Sequence, residues 1–152
     1  MAQIYSIVYQ PSDKKYGSPN GDYIRVPLQQ AMLIADHGIE GDAKAGKNPN
    51  RQLNLLSLSW LERLKPLGYR TDPGQFGEQI IIKDMDVGEL QPGDRLRLGQ
   101  TATIEITKAR TGCERLSAAQ GQSNEAFENQ VGMLARVITG GEITVGTAVY
   151  KV

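Results

Sequence analysis

Asp94-Arg95-Leu96-Arg97-Leu98-Gly99-Gln100-Thr101-Ala102-Thr103-Ile104-Glu105-Ile106-Thr107 sets the fold class of this 152-residue chain. Two runs of alternating character, residues 94–98 and 101–107, flank the dipeptide Gly99-Gln100. A period of two places every second side chain on one face of a strand, and a short glycine-bearing connection joins antiparallel neighbours. The stretch predicts a β-hairpin closed by a two-residue turn.

The same grammar recurs along the chain. Residues 3–9 read as a first strand, followed by a polar loop over 11–21, punctuated by Pro11, Gly17, Pro19 and Gly21 and free to move. Residues 23–34 alternate imperfectly, and Pro27, which has no N–H to donate, marks a sheet edge or a bulge. A glycine-rich segment over 38–50 precedes another strand at 52–56, and Ile80-Ile81-Ile82 is a short β-branched strand. Residues 133–139 and 142–152 predict a terminal hairpin around Gly140-Gly141.

Helical signals are fewer. Ser59-Trp60-Leu61-Glu62 has the spacing of a capping box, and Leu61, Leu64 and Leu67 recur at helical intervals before Gly68, predicting one short helix over 59–67 packed outside the strands. Trp60 reads as a core anchor. Residues 116–130 carry partial helix at most, starting near Ser123 with Glu125 at the positive end. Many short strands with few short helices imply a mainly β fold, a closed or partly closed β-barrel, because pairing removes exposed edges. Without repeats or low-complexity tracts, residues 1–152 read as a single domain.

Lys plus Arg and Asp plus Glu both number 17, so no global field recruits nucleic acid or an anionic membrane, although a local basic pocket is allowed. The first ten residues lack a basic start, a long apolar run and a small-residue cleavage site. No stretch approaches the ~18 apolar residues of a membrane span. A soluble cytoplasmic protein is the expectation, in keeping with one unpaired thiol in a reducing compartment.

That thiol, Cys113, lies in Arg110-Thr111-Gly112-Cys113. It has no internal disulfide partner, and Arg110 favours the thiolate, the form that attacks, carries sulfur or binds metal. The competing reading is a small buried hydrophobe. In Pro73-Gly74-Gln75-Phe76-Gly77-Glu78 two glycines flank a polar and an aromatic residue. This is either a loop whose amides approach an anion or a tight turn with Phe76 packed inward. Arg51 and Arg110 offer planar forks for phosphate oxygens and Lys44 a point charge, while Arg25, Arg95, Arg97 and Arg136 are substitutes that the sequence does not rank. Asp42 and Glu78, each beside glycine, can accept a proton, fix an arginine or bind loop amides. His37 in Asp36-His37-Gly38 reads as a turn residue, and a lone histidine with a lone cysteine makes no zinc-type ligand set.

Several separated segments resemble, in order and spacing, the MOSC domain family, named after the C-terminal part of molybdenum cofactor sulfurases. They are Gly38-Ile39-Glu40-Gly41-Asp42, Arg51-Gln52-Leu53-Asn54-Leu55-Leu56, residues 73–78, Gly93-Asp94-Arg95-Leu96-Arg97-Leu98-Gly99, Arg110-Thr111-Gly112-Cys113, and Gly132-Met133-Leu134-Ala135-Arg136-Val137 with the later glycines. The resemblance implies a barrel that binds the molybdenum cofactor (molybdopterin). It makes Cys113 the catalytic residue and metal ligand, and Lys44, Arg51, Gln75, Phe76, Gly77, Arg110 and Thr111 the cofactor-binding residues.

Two activities follow from the resemblance. Cys113 carries a persulfide as a sulfurtransferase served by an external sulfur donor, or it ligates molybdenum in a reductase of N-hydroxylated compounds. The alternative is a noncatalytic carrier that delivers molybdopterin or another phosphate-bearing ligand to a molybdoenzyme partner. In cofactor sulfurases a pyridoxal-phosphate domain makes the persulfide, and this domain alone is not expected to bind pyridoxal phosphate. Two positions depart from the family. Lys44 stands where it often has His, removing an imidazole that shuttles protons near neutral pH, and Gly112 stands where it commonly has Pro, loosening the backbone before the thiol.

Overall fold

The computed structural model describes residues 1–12, 23–127 and 130–152. The loop expected at 11–21 therefore lies mostly outside the described residues, as does the end of the segment expected to turn helical after Ser123. The strands in chain order are β1 (Gln3–Tyr9), β2 (Val26–Leu28), β3 (Gln30–Ile34), β4 (Gly38–Ile39), β5 (Leu53–Ser57), β6 (Ile80–Lys83), β7 (Arg95–Leu98), β8 (Ala102–Ala109), β9 (Met133–Thr139), β10 (Gly141–Thr144) and β11 (Val149–Lys151). Among the described residues two α-helices accompany them, α1 (Leu58–Leu64), extended by a 3-10 turn at Lys65–Leu67, and α2 (Glu114–Gln120), with a further 3-10 turn at Val87–Glu89.

Eight strands form one strongly curled sheet in the order β11-β7-β8-β9-β5-β6-β1-β2, and β10-β3-β4 form a second. The half-barrel closes where the start of β1 meets the chain before β11: Ile4 N–H donates to Thr147 O at 2.8 Å, and Gly146 N–H to Ile4 O at 2.7 Å. Pro27 lies on β2, an edge strand of the large sheet, where its missing N–H costs no ladder bond. No helix among the described residues is long and apolar enough to cross a membrane.

Strand periodicity explains the cores. On β5 and β6, Leu53, Leu55, Ile80 and Ile82 face the barrel interior, whereas Leu56 and Ile81 join a second cluster on the outer face with Leu61, Leu64, Phe76 and Phe127. The isoleucine triplet is buried throughout because both faces of β6 are covered. A bulge between Ile4 and Ser6 inserts one residue into β1, so Ile4 and Ile7 both reach the interior despite their odd spacing.

Four local expectations are corrected. The β7–β8 connection has three residues rather than two, since Leu98 pairs with Ala102, and Gly99 takes φ 72° while its N–H donates to Ala148 O. The capping box at Ser59 does not form. Helix α1 follows β5 directly with Ser57 as its N-cap, and the Ser57 hydroxyl is committed sideways, donating to Met85 O and accepting from Val87 N–H. The terminal hairpin is absent as well. β9 pairs with β5 and β8, and after Gly140 the chain changes sheets, β10 joining β3 and β11 joining β7. Gly140 serves close approach there, because a Cβ would stand 2.6 Å from Leu33 O. Finally, helix precedes Ser123: α2 starts after Cys113 and ends at Gly121 in the left-handed conformation, and the described residues from Asn124 to Phe127 form a turn.

Candidate functional site

Four chain segments meet over the outer face of β5. Asn54 alternates with Leu53 and Leu55 of the barrel core and so points to the other side of the sheet. Around it lies a cleft of about 290 Å³. The loop between β4 and β5 contributes Lys44, Lys47, Asn48 and Arg51; the segments before β2 and β6 contribute Tyr23, Arg25, Gly77 and Gln79; the chain after β8 contributes Arg110 and Cys113. Five of these side chains are cationic and none of the described lining residues is acidic. A chain of zero formal net charge thus concentrates positive charge at one place, the arrangement that attracts an anion.

The arginines are held from behind. Arg110 is only 6% exposed; its Nη1 donates to Phe76 O at 2.6 Å and its Nη2 to Tyr23 Oη at 3.4 Å. Arg25 donates to Ile24 O at 2.8 Å and Gly77 O at 3.2 Å, and its guanidinium lies 5.3 Å from the Tyr23 ring centroid. Burial pulls Arg25 down from the usual arginine value, while Asp42 and Glu78 oppose that shift. Arg51 and Lys44 are exposed on the rim.

Two buried carboxylates shape the loops without lining the cleft. Asp42 accepts Gln10 N–H at 3.1 Å, Lys44 N–H at 3.3 Å and Gln79 Nε2 at 3.4 Å, fixing the turn that carries Lys44. Glu78, 1% exposed, accepts the N–H groups of Gly74 and Phe76 on its two oxygens. Burial pushes its carboxyl above the usual glutamate range, against the pull of those amides and Arg110.

These bonds change the role of the glycine loop. Gln75 N–H donates to Asp72 O and Gly77 N–H to Gly74 O, so all four amides from Gly74 to Gly77 are engaged inside the loop. The expected amide approach to an anion does not occur; the loop presents carbonyls to arginines instead.

Of the residues expected to bind cofactor, Lys44, Arg51, Gly77 and Arg110 share the cleft with Cys113. Phe76 does not line it, and its carbonyl meets the cleft's Arg110 from behind. Its ring is 0% exposed, with Trp60 at 5.0 Å and Phe127 at 5.5 Å edge-on, the inward-packed alternative of the sequence reading. Gln75 lines a neighbouring polar hollow beside Asp72 and Pro73, its Oε1 accepting Asp72 N–H at 3.0 Å. Thr111 is exposed and does not line the cleft.

Cys113 is exposed at the N-cap of α2, which sets aside the buried, inert reading of the thiol. His37 sits in the turn between β3 and β4. Among the described residues no three His, Cys, Asp or Glu side chains gather as a metal-ligand set.

Sequence reasoning missed Tyr23, Lys47, Asn48, Asn54 and Gln79, and left Arg25 unranked. A signal existed for Asn54, since a polar residue between Leu53 and Leu55 must face away from the core. Lys47 and Asn48 share the glycine-rich segment with Lys44. Tyr23 and Arg25 carry no local signal, because chain folding alone brings them to residues 77 and 110.

Among curated proteins none matches this sequence. Among solved structures the fold is similar to YiiM from Geobacillus stearothermophilus, with TM-score 0.72 and 16% identity, covering 100% of this chain and 75% of that one. It is also similar to the APC1665 YUAD protein of Bacillus subtilis, with TM-score 0.70, 16% identity and coverage of 98% and 94%. YiiM from Escherichia coli gives 0.66, 21%, and coverage of 99% and 69%. The chain spans 66% of a further similar structure, described as a hypothetical protein. At these identities the likeness concerns the fold. The sequence itself matches the MOSC domain over residues 42–150, nearly all of the ground from Asp42 through the cleft to the last strand, and the chain belongs to the MOSC domain family.

Proposed function

We propose that the cleft is a molybdenum-cofactor site, in which the cations receive the anionic end of molybdopterin and Cys113 supplies a protein thiolate. The observation that carries this reading is the convergence of Arg25, Lys44, Lys47, Arg51 and Arg110 on the cleft that also holds the chain's one cysteine. Guanidinium forks match phosphate oxygens. The donor set suits a metal whose other ligands arrive with the cofactor, since a single soft thiolate is the protein's share. When bound, the cofactor supplies the redox and sulfur chemistry. The chain's own residues bind and orient: Arg25 and Arg110 are braced by carbonyls, Arg51 and Lys44 close the rim, and Cys113 faces the opening. Lys44 donates a hydrogen bond but does not shuttle protons near neutral pH as an imidazole does.

The exposure of Cys113 favours a second reading, sulfur carriage, because an external donor can reach the thiol. A noncatalytic carrier would hold the same cofactor without reducing N-hydroxylated substrates. The test is pterin and molybdenum analysis of protein purified from a cofactor-making host. Both should co-purify, Arg51→Ala with Arg110→Ala should lose both, and Cys113→Ser should keep pterin while losing molybdenum. Persulfide on Cys113 after incubation with a sulfane-sulfur donor, read as the mass of one added sulfur atom, supports carriage. Protein free of pterin and metal after reconstitution rejects the reading.

A further inference from the structure

The loop before β6 is built inside out for an anion site. Its amides turn inward: Gly74 and Phe76 donate to the two oxygens of Glu78, a residue that does not line the cleft. With the amides committed there, the next carbonyls face the other way. Phe76 O receives Arg110 Nη1 at 2.6 Å; Gly77 O receives Arg25 Nη2 at 3.2 Å and Asn54 Nδ2 at 3.3 Å. Gly77 permits this turn through φ 75°, and the loop closes against the Tyr23 ring, 2.8 Å from where a Cβ would stand.

We propose that Glu78 is the positioning residue of the cleft: by folding the loop around its carboxylate it aims the Phe76 and Gly77 carbonyls that orient Arg110 and Arg25 toward a bound anion. The proposal rests on the reading of the cleft as an anion site. It assigns Glu78 no contact with ligand.

Three roles for a buried carboxylate here differ in sign. A purely electrostatic Glu78 opposes an anion, so removing its charge tightens binding. A purely structural Glu78 changes stability and leaves affinity alone. A positioning Glu78 weakens binding when removed, even though the cleft gains positive charge. Glu78→Gln replaces one acceptor oxygen with a donor, so either the Gly74 or the Phe76 N–H loses its partner. Glu78→Asp keeps the charge and shortens the reach.

The experiment measures inorganic pyrophosphate binding by calorimetry at fixed salt, at about pH 6 and again at about pH 9, so that a carboxyl held above the ordinary glutamate range is sampled in both directions. Both variants should bind about tenfold more weakly, the scale of a misplaced charge-assisted contact. In an Arg25→Ala, Arg110→Ala background the Glu78 substitutions should have no further effect, because the residues through which Glu78 acts are gone. Unchanged or tighter binding in the folded variants overturns the proposal, as does an undiminished effect in the double-arginine background.

A second measurement needs no ligand. Side-chain NMR of Arg25 and Arg110 should show guanidinium motion that is more restricted in the native protein than in Glu78→Asp, where only the Ile24 and Tyr23 contacts remain; equal restriction in both overturns the proposal. If the native protein ignores pyrophosphate, the anion-site reading fails while the NMR arm still decides what Glu78 does to the arginines.

Discussion

Asn124 Nδ2 donates to the carbonyl of Cys113 at 2.9 Å, and the same amide group stands 2.8 Å from where a Cβ on Gly112 would lie. The departure at Gly112 is therefore matched by a residue twelve positions on: Asn124 occupies the space that a proline ring before the thiol would need. Gly112→Ala is expected to cost about 1–3 kcal/mol through overpacking. Asn124→Ala should relieve most of that cost, leaving the double variant more stable than the sum of the singles predicts. Urea unfolding of the four proteins measures the coupling, and additive losses would show that Asn124 yields without resistance.

Exposure of Cys113 sets a kinetic expectation. Iodoacetamide should label the folded protein at a rate within about tenfold of the urea-unfolded chain, since the thiolate needs only access. Bound molybdopterin, or pyrophosphate at saturating concentration, should slow labelling by covering the cleft. Labelling that awaits unfolding would contradict the exposed geometry.

Arg51 and Arg110 should separate binding from stability. Arg51 is an exposed rim residue, so Arg51→Ala should weaken pyrophosphate binding and its salt dependence while changing unfolding free energy by less than about 0.5 kcal/mol. Arg110 is 6% exposed and pairs with Phe76 O, so Arg110→Ala should weaken binding and also cost about 2 kcal/mol by leaving a buried acceptor unmatched. Equal stability of both variants would mean that the Phe76 carbonyl finds another donor.

The strands were largely legible because their side chains obey a local rule. Residues 3–9, 80–82 and 94–107 show alternation or β-branching whatever surrounds them, and Pro27 declares its edge through a missing donor. Pairing was not legible at residues 140–141. A Gly-Gly step permits a hairpin and a change of sheet equally well, and the decision rests with Leu33 O, more than a hundred residues earlier in the chain. The site divided the same way. Lys44, Arg51 and Arg110 were readable as basic residues in separate family-like segments. The inversion of the residue 74–77 loop was not, because the fate of an amide depends on which acceptor folding brings near, and here the acceptor is the loop's own Glu78. Ser59 and Glu62 show the same limit, since the cap position went to Ser57, whose hydroxyl serves another loop.

Phe76 supplies a prediction from that inversion. Its ring is the fully buried centre of an edge-on cluster with Trp60 and Phe127. Phe76→Ala should cost about 3–5 kcal/mol as a cavity-forming core substitution. Phe76→Leu should cost less and leave pyrophosphate affinity within about twofold, because the carbonyl that meets Arg110 is main chain. Affinity lost in step with ring size, without loss of stability, would place the ring in the site.

Glu78 predicts a pH dependence of definite sign. Burial raises its carboxyl pKa in the folded chain, although the amides of Gly74 and Phe76 and the charge of Arg110 pull the other way. The folded state thus holds this proton more tightly than the unfolded state, whose glutamate titrates near about 4.3. Between that value and the raised one, the folded chain binds more protons, and stability contributed by Glu78 falls as pH rises. The contribution is complete below the unfolded value and lost above the folded one. Glu105, paired with Arg95 and Arg136, and Asp94, bonded to Gln91 N–H, are shifted downward and slope oppositely as pH falls. Subtracting the unfolding free energy of Glu78→Gln from that of the native chain at each pH removes their share. The difference should decline from about pH 4.3 upward and then level off. A difference that grows with pH would mean that the two amides and Arg110 outweigh burial, making the ionised carboxylate the form that folding favours.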